Sequence, residues 1–591
     1  MALIGLMLLA VFFWPIGRVT LVYIGPVPVA VCGSVAAAAY TAVAGLLGAW
    51  MGRRGRTVEC RAAETQPCRC LPLRLAHLAL SAAGQIWVGL SLLLFIACFW
   101  AIRTYENISL EEVVFYASMP LQGTSQTFIH DVTVNVIVPW AAAFGVLEAL
   151  MHIRPRRPYR LTVRGMKRLW VQPLPLRCSG WALAAVSVAL YAMMFVCADR
   201  TMDAGGFIAS RVLSSPLIEE EYVDPRSVDI VFPEEKRNLI CIFIESAETS
   251  AQDRESGGLL ETNLIPEMTE LARANVSFSQ SERLEGAAIA PACGWTIAGL
   301  LAETGGLPLK LFRYEDYAGE ERAGTDNMAD SFAYFLPGAT TLGDLLKEQG
   351  YRNVFMAGSD FTFGGRRLYF TQHGDYEIWD LLTARELGKI PQDYEEGWGF
   401  EDQKLYAFAK EKLLELSEGE QPFHFCMLTV DTHDPGYVCP LCPQGYDSDF
   451  ARVTACSSKQ VAEFVAWCQE QDFYEHTTIA IMGDHASMTG GFYPSGEGYD
   501  KHNGSSSRLV YNAFINAAAE PLNAQNRLFT TLDFFPTLLA SIGVNIEGER
   551  LALGANLFSD AQTLAEKYGY EELFRELGKK SIFYNRELLY P

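Results

Sequence analysis

The sequence predicts an α/β protein in two parts. An N-terminal transmembrane domain of about five helices occupies residues 1–198, and a linker at 199–237 leads to an extracytoplasmic domain, 238–591, with a mostly parallel sheet flanked by helices. Three observations lead there. Charge is split along the chain: residues 1–198 carry a net +9 and residues 199–591 a net −31, together the −22 of the whole. Apolar stretches of membrane-spanning length fill the first part, and short apolar runs alternate with helical patterns in the second. With 591 residues there is room for several domains. Half the residues are hydrophobic, which excludes a disordered chain, and the acidic total argues against a nucleic-acid partner.

In the first part, the apolar stretches 2–20, 27–50, 75–101, 134–151 and 179–198 are the expected spans. Leu75 to Ala101 holds no acid or base apart from His77. Arg18 crowds the end of the first stretch, so a four-span layout with an uncleaved signal sequence is the alternative reading. Orientation follows from the bases between spans. Loop 51–74 holds Arg53, Arg54, Arg56, Arg61, Arg69 and Arg74, and loop 152–178 is equally basic, whereas 102–133 has Arg103 alone against Glu106, Glu111, Glu112 and Asp131. The basic loops should face the cytoplasm and everything after residue 198 the exterior.

Cysteines follow this geography. Cys60, Cys68 and Cys70 fall in a cytoplasmic loop, where thiols stay reduced. Cys439, Cys442, Cys456 and Cys468 fall together in the outer domain, as a loop-pinning disulfide framework or a zinc site; an oxidising compartment favours disulfides. Cys241, Cys293 and Cys426 read as core.

In the second part, Asn238–Glu245, Asn353–Gly358, His424–Val430 and Thr477–Met482 are unalternating apolar runs, as strands buried on both faces require. Helical patterns lie at 265–274, 296–304, 341–349, 402–417, 458–470 and 530–542. Parallel sheets present their sites at the carboxyl ends of the strands. There the first strand delivers Glu245, the His424 strand delivers Asp431, Thr432 and His433, and the Thr477 strand delivers Asp484 and His485. One such acid is a common helix cap, but three strands ending this way suit a divalent metal. Thr296, in Cys293-Gly294-Trp295-Thr296, opens a helix; it reads either as an N-cap or as a nucleophile at a site that favours anions.

This order of strand-Glu, helix-initial Thr, strand-His and Asp-His resembles the alkaline phosphatase/sulfatase superfamily. Within it, the membrane layout is similar to the lipoteichoic acid synthase group, and A-P-A-C-G-W-T-I-A-G-L-L-A-E-T-G-G-L-P-L (290–309) to the nucleophile segment of the phosphoglycerol transferase I group. G-S-D-F-T-F-G-G-R-R (358–367), Gln372-His373-Gly374 and L-G-A-N-L-F-S (553–559) extend the resemblance, which covers roughly 238–560. It implies a sulfatase-like domain with Glu245, Thr296, Asp484 and His485 as metal ligands and Thr296 as nucleophile. It implies further that His433 handles protons and the transferred phosphate and that Arg366, or Arg367, binds phosphate. Trp295, His373 and His502 complete the expected substrate set, the two histidines being the extra ligands a second metal would take. The synthases' tryptophan before the arginine is replaced by Gly364-Gly365, and the chain ends at Pro591, short of the C-terminal extension of the glucan-modifying enzymes. Cys70-Leu71-Pro72-Leu73-Arg74 mimics the formylglycine signature of sulfatases, but it precedes the Glu245 strand and so reads as a decoy.

The implied activity is transfer of glycerophosphate from phosphatidylglycerol to a periplasmic glucan, by an integral inner-membrane protein using manganese, with zinc or magnesium as alternatives. The other readings are a polyglycerophosphate synthase, whose acceptor is glycerophosphate, a phosphoethanolamine transferase and a phosphodiesterase or sulfatase-type hydrolase. A catalytically dead scaffold would lack one of the four ligands, and none is missing.

Overall fold

A computed structural model describes residues 71–589, except 106–107, 119–123, 125, 153–159, 166–167, 174–179, 203, 311–333, 395, 490–491 and 494–507. The chain divides into two compact units, residues 1–102 with 130–201 and residues 103–129 with 202–591.

The first unit holds the helices Leu71–Thr104, Val138–His152 and Gly180–Met202. The expected span 75–101 falls on the first, and 134–151 begins in the preceding helical turn Thr133–Ile137 and continues in the second. The span 179–198 falls on the third except for residue 179, which lies outside the described residues. Among the described residues, Gln85–Thr104 and Phe128–Val146 are the segments long and apolar enough to cross a membrane. The expected spans 2–20 and 27–50 and the loop with Cys60, Cys68 and Cys70 lie outside the described residues. Two of these helices meet where Trp140 Nε1 donates to the Gly89 carbonyl (2.8 Å). In the basic loop, Arg160–Gly165 and Arg168–Pro173 pair as an antiparallel hairpin.

The second unit begins with a helix, α1 (Leu110–Ser118), from the segment expected as an exterior loop. There follow β1 (Asn238–Ile244), α2 (Pro266–Ala274), α3 (Thr296–Gly305), α4 (Leu342–Glu348), β2 (Arg352–Ala357), α5 (Arg366–Gln372), β3 (Glu377–Trp379), α6 (Asp402–Ser417), β4 (Phe423–Leu428), α7 (Asp449–Gln469), β5 (Thr477–Gly483), β6 (Asn512–Ile515), α8 (Phe534–Ser541) and α9 (Leu564–Gly578). The sheet has six strands in the order β3-β2-β4-β1-β5-β6, parallel except for the antiparallel β6. Its strands are apolar throughout because both faces are covered. Leu239, Cys241 and Phe243 enter one core with Phe355, Cys426 and Met482, while Ile240, Ile242 and Ile244 enter the other with Met356, Phe425 and Ile481.

The expected linker at 199–237 is woven into this unit. It carries the helices Ala204–Val212 and Leu217–Glu221, and its strand Ile230–Val231 pairs with Asn545–Ile546. The expected disulfides are absent: Cys439, Cys442, Cys456 and Cys468 are all free thiols. Cys468 lies apart, in the second core, while Cys439, Cys442 and Cys456 cluster around Val453.

Candidate active site

Register creates the site. β1 pairs with β5 so that Ile244 stands opposite Gly483, which makes Glu245 and Asp484 neighbours where the two strands end. Ser246, at φ 58°, turns the chain just after Glu245, and its N–H donates to Asp484 Oδ1 (2.8 Å). That left-handed conformation costs a non-glycine residue about 1–2 kcal/mol, a strain held in place by the bond it makes possible. Asp484 Oδ1 also accepts the His485 N–H (2.9 Å), while the buried Oδ2 has no hydrogen-bond partner.

Thr296 is brought to these groups by α3. The helix is capped by Trp295, in extended conformation and without a side-chain cap bond, so Thr296 is the first helical residue and not the N-cap. Its hydroxyl donates to Glu245 Oε2 (3.3 Å) and lies 3.4 Å from His485 Nε2. The same nitrogen is 3.2 Å from Glu245 Oε1 and 3.5 Å from Asp484 Oδ2. Glycine lets α3 come this close: a Cβ on Gly299 would lie 2.1 Å from the Asp484 carbonyl oxygen.

Glu245, Asp484 and His485 are wholly buried, and one ligand atom from each lies within 4.8 Å of the others. Burial drives the Glu245 pKa up, but His485 and the hydrogen bonds around it hold it well below the usual carboxylate range. Burial and the facing Glu245 push Asp484 up to about 8. Against burial, Asp484 and Glu245 raise His485 to about 10. Two crowded carboxylates, one of them with an orphaned oxygen, an imidazole and a hydroxyl are a donor set that fits a divalent cation.

The second shelf of the site surrounds His433. Thr432 Oγ1 donates to the Glu245 carbonyl (2.6 Å), fixing the β4 exit against β1. The His433 ring packs on Trp398 (4.2 Å between centroids), which also meets the Arg366 guanidinium (4.8 Å) and the Phe363 ring (5.7 Å). Arg366 is buried and tied to its own loop through the Phe363 carbonyl, Ser359 Oγ and the Asp360 carbonyl. Arg367 instead pairs with the buried Asp380 (2.5 Å). Of the two arginines, Arg366 is the one joined to His433 through Trp398.

Other expected residues part company here. His373 is spent on the fold: Nδ1 meets Asp344 Oδ2 (3.0 Å) and Nε2 meets the Phe335 carbonyl (2.7 Å), so neither nitrogen remains for substrate or a second metal. His502 lies outside the described residues. Trp295 is buried against Phe115 (5.8 Å).

Two contributions went unread in the sequence. Trp398, on the loop before α6, lays an aromatic ring against both Arg366 and His433. α1 covers the site with Glu112, Phe115 and Tyr116: Tyr116 stacks on Phe363 (5.1 Å), and Glu112 is buried, within the electrostatic reach of His485 and Glu245. Burial pushes the Glu112 carboxyl up to about 7. The available signal was Ser109-Leu110-Glu111-Glu112, a helix-start pattern in which Ser109 Oγ accepts the Glu112 N–H (3.1 Å).

The profile of the sulfatase family matches residues 237–544. Phosphoglycerol transferase I of Xanthomonas euvesicatoria pv. vesicatoria (strain 85-10) is 31% identical over 304 residues, 48% of this chain and 40% of that protein. The enzyme of the same name from Escherichia coli O127:H6 (strain E2348/69 / EPEC) is 28% identical over 421 residues, 69% of this chain and 48% of that protein. The chain thus spans under half the length of these relatives. Among solved structures, the lipoteichoic acid synthase LtaP from Listeria monocytogenes superposes with a TM-score of 0.44 at 14% identity, over 59% of this chain and 82% of that one.

Proposed function

Because the chain belongs to the sulfatase family, within the alkaline phosphatase superfamily, we propose that it is a membrane-anchored phosphoglycerol transferase. It takes the glycerophosphate headgroup of phosphatidylglycerol and passes it, through a Thr296-linked intermediate, to a periplasmic glucan or similar sugar hydroxyl. The observation that carries this reading is the Thr296 hydroxyl, free of any capping duty and directed at Glu245 and His485. The acceptor class rests on the C-G-W-T-I-A-G segment and on relatives named phosphoglycerol transferase I.

Glu245, Thr296, Asp484 and His485 would hold a divalent cation, manganese in our reading, which supplies charge neutralisation at the phosphate and a lowered proton affinity at the hydroxyl. Thr296 Oγ, its proton already lost to solvent so that it acts as the alkoxide and is later released as one, attacks phosphorus at the positive end of α3, and the bond to the diacylglycerol oxygen breaks. His433, held by Trp398, protonates that leaving oxygen. It then takes the proton of the acceptor hydroxyl, which attacks phosphorus and frees Thr296. Arg366 steadies the phosphate. In this reading the chemistry lies on the periplasmic face of the inner membrane, where the lipid donor is held at high effective concentration.

The test supplies purified protein with manganese, labelled phosphatidylglycerol and a β-glucoside, and resolves products by mass. Singly substituted glucoside with diacylglycerol is expected. A ladder of glycerophosphate units formed without sugar would replace the reading by a polyglycerophosphate synthase, and free glycerol phosphate alone by a hydrolase.

A further inference from the structure

Outside the active site, Cys439, Cys442 and Cys456 form a cluster of three buried sulfurs with no disulfide among them. The Cys439 sulfur lies 3.7 Å from that of Cys442 and 3.7 Å from that of Cys456, and all three fall within 4.8 Å of one another. Thiolates at about 2.3 Å from a tetrahedral zinc stand about 3.8 Å apart, the spacing seen here. A disulfide needs its sulfurs at about 2.05 Å, and three mutually adjacent thiols leave one odd however they pair. We propose that Cys439, Cys442 and Cys456 bind a structural zinc ion, distinct from the Glu245–Thr296–Asp484–His485 site and independent of the transferase reading.

Local chemistry supports thiolates. Cys439-Pro440-Leu441-Cys442 is a tight C-x2-C turn closed by the Cys442 N–H, which donates to the Cys439 carbonyl (3.1 Å). Gln460 Nε2 donates to the Cys456 sulfur (3.3 Å). Such an N–H···S bond offsets negative charge on sulfur, which a cluster of metal-bound thiolates requires. Three thiolates supply three corners of the tetrahedron, leaving the fourth to water or a small exogenous ligand. Placement suggests the purpose. Cys439 and Cys442 sit on the loop that follows His433, and Cys456 sits on α7, so the ion ties the His433 loop to a long buried helix. Cys468, twelve residues along the same helix, faces the other core and takes no part.

The full-length protein, purified in detergent, would be treated with a thiol-reactive mercurial in the presence of a zinc-sensitive dye. One equivalent of zinc per chain should be released, and X-ray absorption at the zinc edge should show a sulfur shell near 2.3 Å. C456S should lose both signals while zinc or manganese at the active site remains. Peptide mapping after alkylation in denaturant gives the counter-readout on the wild type, so the test survives a variant that fails to fold. A Cys439–Cys442 or Cys442–Cys456 disulfide, three free thiols without mercurial-releasable zinc, or a different metal in the sulfur shell would each overturn the assignment.

Discussion

Thr296 and Gly299 divide the work of α3 between chemistry and approach. Thr296→Ala should retain the fold and lower transfer by roughly 10³–10⁶-fold, as loss of a nucleophile does; intact-mass analysis should show a glycerophosphate adduct on the wild type alone. Gly299→Ala reverses the usual helix rule. An alanine normally gains up to about 1 kcal/mol over glycine in a helix interior, but here its Cβ would meet the Asp484 carbonyl at 2.1 Å. Overpacking of that kind costs about 1–3 kcal/mol, so the variant should melt lower and turn over slowly because α3 is pushed off the ligands. Trp398→Ala should raise KM about tenfold, since the ring contacts both Arg366 and His433 and a cation–π contact contributes about 0.5–2 kcal/mol; Trp398→Phe should recover most of it. An unchanged KM would show the ring to be mere packing. The positions of Glu245, Thr296, Asp484 and His485 at one edge of the sheet were legible in the sequence because each follows an apolar run that can only be a buried strand or opens a buried helix. Trp398 and Glu112 were not, because nothing local in a chain reports which distant side chain a fold will lay against a histidine.

The same contrast holds for elements. The four central strands and the helices at 266–274, 296–305, 342–348 and 402–417 were readable, their boundaries falling within a residue or two of the pattern. β3 has only three residues and β6 only four, too short for a hydrophobic period to declare itself. α9 escaped for a different reason: Gly569, at φ 70°, breaks the helical geometry and with it the 3.6-residue pattern. Tertiary contacts hold that element instead. Glu221, in the middle of the supposed linker, accepts from Lys567 (2.5 Å) and Tyr568 (2.7 Å) on α9 and from Arg550 (3.1 Å). Burial raises the Glu221 pKa, but these three bonds outweigh it and the net shift is downward. A carboxylate with a depressed folded pKa stabilises above its unfolded value and loses that contribution as pH falls through the folded value. Glu221→Gln should therefore lower Tm by a few degrees at pH 7, on the order expected for ~1 kcal/mol in a domain of this size, and the gap should close as the pH is taken below 4.

At the scale of the molecule, charge and hydropathy located the two halves but not the border between them. The acidic segment after the Arg103 region looked like one more exterior loop; its helix α1 belongs to the catalytic unit, because Phe115 and Tyr116 find more apolar surface on Trp295 and Phe363 than water offers. Chelation should abolish transfer by the intact protein and manganese should restore it, with the circular dichroism unchanged. A soluble fragment beginning at Met202 would keep Glu245, Thr296, Asp484 and His485 yet lose Glu112, Phe115 and Tyr116, and with them the cover over Trp295 and Phe363. Such a fragment should still cleave a small water-soluble phosphodiester while handing its phosphoryl group to solvent, so that trimming the protein for convenience would convert a transferase assay into a hydrolase assay. Inhibitors selected against the fragment would be selected against an unroofed pocket that the intact protein does not present.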